Sequence, residues 1–203
     1  MASISYAITA CNEHEELKKL LEQITPHLQP EDEVVIQLDI TATSEVDKVA
    51  KDSGYLVEYY PLDGDFAEFK NHLKGLCSKQ YVFFLDADEL ISEELLEDLH
   101  GILDLNPNID LFIFPRENFV EGITKEHLEE WGWNVDGNGR VNYPDNQGRI
   151  IKNVDYISWK RKVHECLTGS IGLLISVLPE EYHLIHFKTI QKQEAQNKMY
   201  SNM

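Results

Sequence analysis

Basic residues are scarce in this chain. It carries 18 Lys and Arg against 36 Asp and Glu, a formal net charge of −18 at pH 7. The imbalance is concentrated in the first hundred residues, which have 22 acids and 7 bases, whereas the remainder has 14 and 11. Binding of nucleic acid requires clustered Lys and Arg against the phosphates. The composition therefore argues against nucleic acid as a partner.

Cysteines are few, and long apolar runs are missing. Cys11, Cys77 and Cys166 are widely spaced and odd in number, which predicts free thiols in a reducing compartment. The longest nearly apolar run, residues 171–178, is far too short for a membrane span. The N-terminus also lacks a basic segment followed by an apolar one. We expect a soluble, cytoplasmic protein with no signal peptide and no transmembrane segment.

Two common glycine-rich phosphate motifs are absent as well. Without G-x-x-x-x-G-K-[ST] or G-x-G-x-x-G, the chain has neither a P-loop nor a dinucleotide fingerprint. Its 203 residues suffice for one sizeable domain that buries roughly 70% of its unfolded surface. No linker, repeat or low-complexity segment divides the sequence. We predict a single domain over residues 1–203.

Strand and helix patterns alternate through the first half. Runs of β-forming residues predict strands at 4–10, 34–38, 55–60 and 81–85. Helical spacing of apolar residues predicts helices after Asn12, at 47–51, at 66–77 and after Ser92. Asn12 is the expected N-cap of the first helix, with Glu15 completing a capping box. The alternation predicts an α/β fold with a mostly parallel central sheet flanked by helices.

The strand at 81–85 ends in three carboxylates. Because residues two apart in an extended chain point to the same side, Asp86 and Asp88 are expected to face one point beyond the sheet. Mg²⁺ or Mn²⁺ would relieve their repulsion and leave positions for substrate phosphates. A solvated loop stays open as an alternative, and acids in the first turn of the next helix would explain Glu89 better than Asp86. A calcium loop is excluded because Leu90 and Ile91 stand where a ligand and a glycine are needed.

Polar residues follow three of the predicted strands at the same end. Thr9 and Ala10 close the first strand, Asp39 follows the second, and Asp86 and Asp88 follow the fourth. In open α/β sheets, ligands bind outside the carboxyl ends of the strands, where the strand order reverses. We therefore predict a nucleotide-binding crevice at this edge.

From residue 110 onward the pattern is less regular. A strand is predicted at 111–114, closed by Pro115. Residues 131–149 are rich in Gly, Asn, Trp and Asp and are expected to form long loops at the rim of the active site. Short strands are expected at 149–152, 156–159, 172–177 and 183–187, followed by a polar helix at 189–200.

A series of short motifs then carries a resemblance to a known family. In chain order they are Ile-Thr-Ala-Cys-Asn-Glu at 8–13, Asp39, Asp-Phe-Ala-Glu-Phe-Lys-Asn at 65–71, Phe-Leu-Asp-Ala-Asp-Glu at 84–89, Pro-Arg-Glu-Asn at 115–118, Trp-Gly-Trp at 131–133, Tyr-Pro-Asp-Asn-Gln-Gly-Arg at 143–149, Val-His-Glu at 163–165 and His186. The sequence resembles the family 2 glycosyltransferases, which have the GT-A fold. It is most similar to small glucosyltransferases of the lipopolysaccharide-core type, and the resemblance covers nearly the whole chain.

The resemblance implies a metal-dependent glycosyltransferase with a nucleotide-sugar donor, a UDP-sugar such as UDP-glucose, held with Mn²⁺ or Mg²⁺. Residues 1–105 would be the nucleotide-binding half and 106–203 the acceptor and catalytic half. Asp88 would be the direct metal ligand, Asp86 would lie near ribose and metal, and His186 would complete the metal site. The other implied nucleotide-binding residues are Thr9, Ala10, Glu13, Asp39, which would hydrogen-bond the uracil, Lys70, which stands where arginine is commoner, and Ala87.

Glycosyl transfer also needs a base that takes the proton of the acceptor hydroxyl. The resemblance assigns this role to the pair His164 and Glu165, with Glu165 as the base and Asp145 as its substitute, and implies inversion. Asp39 departs from the family pattern because no glycine follows it, which leaves the choice of donor sugar open. The acceptor also stays open, as a glycan, a lipid-linked sugar or a protein.

Two other functions are considered. A sugar-1-phosphate nucleotidyltransferase would need a glycine-rich, basic loop after the first strand, and residues 11–14 have neither feature. A non-catalytic module that binds nucleotide or glycan for a partner would be marked by a lost metal pair, but both aspartates are intact. Trp131 and Trp133 are candidates either for stacking on a sugar or for core packing.

Overall fold

The first half of the chain alternates strand and helix as predicted. The computed structural model describes residues 1–169 and 172–200. Up to residue 105 its elements are β1 Ile4–Ala10, α1 His14–Ile24, a short 3-10 helix Thr25–His27, β2 Glu33–Asp39, α2 Ser44–Asp52, β3 Leu56–Tyr60, α3 Phe66–Leu76, β4 Tyr81–Asp86, β5 Glu89–Ile91 and α4 Glu93–Leu105. The predicted strands and helices are confirmed to within a few residues at their ends, and β5 was not predicted.

The second half contains more short strands. Its elements are β6 Leu111–Glu121, α5 Lys125–Trp131, β7 Asp145–Lys152, β8 Ile157–Lys160, β9 Cys166–Gly169, β10 Ile175–Val177, β11 Leu184–Thr189 and α6 Ile190–Tyr200. The predicted short strands and the terminal helix are confirmed. The predicted domain limits also include residues 170–171 and 201–203, which lie outside the described residues.

One mixed sheet forms the centre of the molecule. Its strand order is β3-β2-β1-β4-β7-β6-β11-β5, and β8 and β9 form a separate pair. The pairs among β1 to β4 are parallel, as are β6 with β11 and β6 with β10, whereas β7 is antiparallel to both neighbours and β5 to β11. The chain runs outward from β1 to β3 and then returns to the other side of β1 as β4. The strand order therefore reverses between β1 and β4, which is where α/β sheets bind ligands.

The central strand is buried on both faces, as its apolar run predicted. Every residue from Tyr81 to Leu85 is at most 1% exposed. On one face Phe83 packs in the larger core cluster with Tyr6 and Phe114, and on the other Phe84 packs edge-on against Trp159. In the part of the chain that the structure describes, no helix is long and apolar enough to cross a membrane.

Three local predictions were wrong. The strand at 111–114 does not end at Pro115 but continues to Glu121. On the edge of β6 away from β7, β10 pairs with residues 111–113 and β11 with 116–121, so the proline lies where that ladder is interrupted and its missing N–H is tolerated. Residues 145–148, predicted as loop, belong to β7.

The third concerns the start of α1. Asn12 is not its cap: the helix begins at His14 with Glu13 in the N-cap position and no side-chain cap bond. The Glu13 carboxylate instead accepts from the backbone amides of Cys11 and Asn12, at 3.0 Å each. These two bonds fold the β1–α1 loop back on itself, and the predicted capping box does not form.

Candidate active site

A cleft of about 1260 Å³ lies at the carboxyl ends of the parallel strands. All of the predicted catalytic, nucleotide-binding and metal-binding residues line it: Thr9, Ala10, Glu13, Asp39, Lys70, Asp86, Ala87, Asp88, Asp145, His164, Glu165 and His186. Those from the first half follow β1, β2 and β4 or lie on α3, and the others come from β7, the β8–β9 connection and β11. The cleft therefore joins the two halves, while the role of each residue stays a prediction.

Asp86 is surrounded by cationic groups. Its Oδ1 accepts from Thr9 Oγ1 at 3.0 Å and lies 3.4 Å from Lys70 Nζ, and its Oδ2 accepts from Arg149 Nη2 at 2.9 Å. Burial alone would raise the pKa of Asp86, but the charges of Lys70 and Arg149 outweigh it and hold the pKa well below its usual range. Asp86 is therefore a carboxylate whose charge is already balanced by the protein.

Asp88 lies in a different environment. Its Oδ2 is 3.2 Å from Nε2 of His186, and Nδ1 of His186 donates to Oδ1 of Asn118 at 2.9 Å. Asn118 in turn donates from Nδ2 to Asp145 at 2.9 Å. Burial would raise the pKa of Asp88, but its hydrogen bond and charge interaction with His186 lower it. A chain of polar contacts thus runs from Asp145 to Asp88.

These contacts bear on whether the predicted metal residues fit a divalent cation. Asp88 and His186 supply one oxygen and one imidazole nitrogen side by side. Asn118 fixes the ring through its other nitrogen, as outer-shell groups do for metal-binding histidines. Asp86 contacts Thr9, Lys70 and Arg149 instead, and within residues 1–169 and 172–200 no three His, Cys, Asp or Glu side chains cluster as a ready-made site. The donor set fits a cation held by two protein ligands, with a diphosphate and water for the remainder.

A buried ion network supports the cleft, and sequence reasoning missed it. Glu89 is fully buried and accepts from Arg116 Nη1 at 2.8 Å and from Arg149, while its Oε2 accepts from the amide of Asp86 at 3.1 Å. Charging the first turn of α4 does not explain this residue, because Glu89 lies in β5 and the helix begins after Ser92. Arg116 lies in the motif at 115–118 and Arg149 in the motif at 143–149. These motifs were the signal in the sequence that pointed to the network.

Arg149 is the most enclosed member of this network. Its side chain is 3% exposed, and the Nε atom is buried without a hydrogen-bond partner among the described residues. Burial would lower the pKa of Arg149, but the charges of Glu89 and Asp86 raise it. The guanidinium is therefore a fixed positive charge in contact with Asp86.

Lys70 connects Asp86 with the predicted base. Its Nζ donates to Glu165 Oε1 at 2.8 Å, lies 3.4 Å from Asp86 Oδ1 and stands 4.8 Å from the ring centroid of Trp159. The side chain is only 6% exposed. An ammonium held by two carboxylates and an aromatic face is a fixed point charge, which a diphosphate at this site could also use.

The Asp39 carboxylate is held by hydrogen-bond donors from two neighbouring loops. One oxygen accepts from the amide and hydroxyl of Thr41, and the other accepts from the amide of Leu62 at 2.7 Å. Burial would raise the pKa of Asp39, but these bonds lower it. The carboxylate therefore joins the loops after β2 and β3, and Thr41 makes the local contact in a segment that lacks the glycine of the family pattern.

The two candidates for a base have different surroundings. Asp145 accepts two bonds from Arg116, at 3.0 and 2.7 Å, and others from Asn118 and Gln147. Burial would raise the pKa of Asp145, but Arg116 and these amides lower it. Glu165 accepts from Lys70, and its side chain is 18% exposed. Asp145 is therefore engaged by Arg116 and two amides, whereas Glu165 pairs with Lys70, so Glu165 is the less restrained candidate for the base.

The segment that carries Glu165 has an unusual backbone. Arg161 and His164 have φ of 72° and 53°, in the left-handed region that non-glycine residues rarely adopt. The carbonyl of Lys162 accepts from the amide of Phe66, the first residue of α3, at 2.9 Å. The segment is thus anchored to the helix that carries Lys70, which keeps the two partners of the ion pair together.

Trp131 and Trp133 pack mainly against each other. Their ring centroids are 4.9 Å apart in an edge-on arrangement, and both rest against a small cluster of Val120, Val141 and Ile190. Only Trp133 lines the cleft. Core packing therefore accounts for Trp131, and Trp133 has one side available to the cleft.

Comparison with known proteins gives a family and a fold. The family described as "Glycosyl transferase family 2" matches residues 5–168. No curated protein sequence matches the chain.

Similar solved structures include TarS of S. aureus, which aligns over 97% of this chain and 38% of its own with a TM-score of 0.61 and 16% identity. TarS 1–349 in complex with UDP-GlcNAc aligns over 93% of this chain and 59% of its own, with a TM-score of 0.56 and 17% identity. Glucosyl-3-phosphoglycerate synthase from Mycobacterium tuberculosis, with Mn²⁺, UDP and phosphoglyceric acid, aligns over 75% and 56%, with a TM-score of 0.51 and 19% identity. The chain spans at most 60% of the length of these TarS and synthase structures.

Proposed function

We propose, because this chain belongs to glycosyl transferase family 2, that its cleft binds a nucleotide-sugar donor of the UDP-sugar class and transfers the sugar to an acceptor hydroxyl. The contact between Asp88, in the turn after β4, and His186, on β11, is the observation that carries the proposal. It brings the end of the parallel sheet and the second half of the chain to one point in the cleft. The similar structures that contain UDP-GlcNAc or UDP with Mn²⁺ support the choice of donor class.

Asp88 and His186 would hold Mn²⁺ or Mg²⁺. When bound, such an ion supplies positive charge to the departing diphosphate. Lys70 and Arg149 supply fixed charge to the same region through Asp86, whose position they set. In this arrangement Asp86, whose charge is balanced by Lys70 and Arg149, orients the donor, and Asp88 makes the metal contact.

Glu165 would act as the base. Its carboxylate takes the proton of the acceptor hydroxyl as the oxygen attacks the anomeric carbon, and the bond to the diphosphate breaks. One base and one displacement give inversion. Lys70 holds Glu165 in position before the reaction. Asp145 serves instead to position Arg116 and Asn118.

A sugar-1-phosphate nucleotidyltransferase is disfavoured by the β1–α1 loop. Such an enzyme would use the amides of this loop for phosphate, but the amides of Cys11 and Asn12 already bind the Glu13 carboxylate. The Glu13 carboxylate would repel a phosphate at this position. The non-catalytic module stays as the second candidate, because Asp86 is already compensated by protein cations.

The test combines binding and turnover. Calorimetry with UDP, with and without Mn²⁺, should show metal-dependent binding, and UDP release from UDP-glucose and UDP-GlcNAc should show which donor is hydrolysed. Asp88→Asn should abolish the metal dependence and lower turnover about a thousandfold. Asp52→Asn, an exposed position on α2, is the matched control. UDP binding without turnover of any donor would favour the binding module, and an active Asp88→Asn variant would remove the metal assignment.

A further inference from the structure

A second cavity, of about 560 Å³, adjoins the cleft. The two cavities share a wall formed by Ala87, Asp88, Phe119, Val120 and Lys188. The remaining walls of the second cavity come from α1, β5, Glu121 at the end of β6, Gly139, β11 and the start of α6. A ligand in it would therefore lie against the residue proposed to hold the metal, next to the donor.

One wall of this cavity is a pair of stacked phenylalanines. Phe119 on β6 and Phe187 on β11 are direct partners in a parallel pair, with ring centroids 5.0 Å apart and an interplanar angle of 19°. Phe187 is 57% exposed, so much of a large apolar ring faces water. Covering it is favourable in proportion to the area removed from water. The apolar C–H face of a sugar ring has the shape and polarity to do so.

The same cavity contains a lysine without a carboxylate partner. Lys188 Nζ donates to Oε1 of Gln196 at 2.6 Å, and no carboxylate in the described part of the chain forms an ion pair with it. By contrast, Lys192 in the same cavity is paired with Glu16 at 2.8 Å. A partly buried ammonium whose partner is a neutral amide gains most from an added anion.

We propose that this second cavity is the acceptor subsite and that the acceptor is a sugar bearing an anionic group, a phosphate or a carboxylate. The sugar ring covers Phe119 and Phe187, and the anion contacts Lys188. The acceptor hydroxyl then reaches past the shared wall into the cleft, which contains both the donor and Glu165. This inference rests on the proposed function, since an acceptor subsite requires a donor in the adjoining cleft.

The test uses the full chain saturated with UDP and Mg²⁺, with saturation confirmed by calorimetry. Binding of glucose 6-phosphate is then measured by saturation-transfer NMR, with glucuronate, glucose and inorganic phosphate as separate probes. Glucose 6-phosphate should bind in the presence of UDP, and glucose and phosphate should each bind at least about tenfold more weakly. Comparison with glucuronate distinguishes a phosphate from a carboxylate as the preferred anion.

Two variants and two matched controls locate the site. Phe187→Ala and Lys188→Met should each weaken glucose 6-phosphate binding about tenfold and change UDP affinity by less than about twofold. Leu56→Ala is the control for the first, since Leu56 is 53% exposed on β3. Lys74→Met is the control for the second, because its Nζ donates to the carbonyl of Val154 at 2.8 Å and burial lowers its pKa. Both controls should bind glucose 6-phosphate as the original chain does.

Several results would overturn the inference. If Lys188→Met weakens UDP as strongly as glucose 6-phosphate, the lysine serves the donor diphosphate instead. Displacement of glucose 6-phosphate by UDP, unchanged binding in Phe187→Ala, or no sugar-phosphate binding to the UDP-saturated chain would each exclude the subsite while leaving the proposed function intact. If UDP itself does not bind, the proposed function fails and the acceptor assignment fails with it.

Discussion

The two halves of this chain are built by different kinds of interaction. In residues 1–105 the strands β1 to β4 pair in parallel and are held by an apolar core on both faces. The second half adds antiparallel strands and joins the first both by apolar packing, such as Phe114 on Phe83, and by buried ion pairs, such as Arg116 and Arg149 on Glu89 and Lys70 on Glu165. The comparison teaches that apolar packing forms the sheet, whereas ion pairs across the halves form the cleft.

The largest expected effect tests whether the buried network joins the halves. Glu89→Gln removes the buried negative charge that Arg116 and Arg149 share, and leaves Arg116 with Asp145 and Arg149 with Asp86 as their remaining carboxylates. We expect the free energy of unfolding to fall by about 3–5 kcal/mol, measured by urea denaturation. Glu97→Gln, on the exposed face of α4, should change it by less than about 0.5 kcal/mol. A loss below about 1 kcal/mol in Glu89→Gln would mean that the halves are joined by apolar contacts alone.

The next effect separates catalysis from nucleotide binding. Glu165→Gln should leave UDP affinity within about twofold and lower sugar transfer about a hundredfold, since the amide cannot accept the proton. Asp145→Asn should lower UDP affinity or stability instead, because it releases Arg116. Steady-state kinetics with calorimetry on each variant distinguishes the two. If Asp145→Asn loses sugar transfer while keeping its UDP affinity and Glu165→Gln does not, the base assignment is reversed.

A smaller effect concerns acid sensitivity in the first half. Asp32 accepts from the amides of Ile4 and Gln29 and lies 2.9 Å from Nε2 of His100. Burial would raise the pKa of Asp32, but the bonds to His100, Gln29 and Ile4 lower it. A carboxyl with a lowered folded pKa contributes stability above its unfolded pKa of about 3.9 and loses it as the pH falls through the folded value.

Asp32→Asn should therefore cost about 1–2 kcal/mol at pH 7, and the difference from the original chain should shrink near pH 3. Urea denaturation at both pH values measures this, with Asp52→Asn as an exposed control. An equal difference at pH 7 and pH 3 would show that the charge of Asp32 contributes nothing and that only its shape matters.

The smallest effect compares one helix from each half. Thr43 caps α2, which buries Val46 and Ala50, whereas Thr124 caps α5, which buries none of its residues. Thr43→Ala should lower the global free energy of unfolding by about 1 kcal/mol. Thr124→Ala should cause local fraying, seen by hydrogen exchange, with little global loss. Equal global losses would mean that α5 is as firmly coupled to the fold as α2.

Sequence reasoning recovered what local patterns determine. The apolar run at Tyr81–Asp86 predicted the buried central strand, and polar residues at the ends of β1, β2 and β4 predicted the edge where the cleft lies. Periodicity is sufficient there because each strand is followed by a helix that covers it, so neighbours in sequence become neighbours in space.

It could not supply contacts that depend on distant partners. Glu89 was interpreted as a helix-terminal acid because its partners, Arg116 and Arg149, are 27 and 60 residues away. Pro115 was interpreted as a strand end because the two strands that flank it on one edge of β6 lie far along the chain. The hydrogen bonds that join Asn118 to His186 and to Asp145 had no local signature at all.

The position of Lys70 ties proton transfer to departure of the diphosphate. One ammonium contacts both Glu165 and Asp86, so its charge is divided between two carboxylates before the reaction. In the proposed reaction Glu165 becomes neutral when it takes the acceptor proton. The positive charge of Lys70 is then balanced by Asp86 alone and acts more strongly on the donor diphosphate. Deprotonation of the nucleophile would thus strengthen the electrostatic support for the leaving group at the same instant, without movement of any helix or strand.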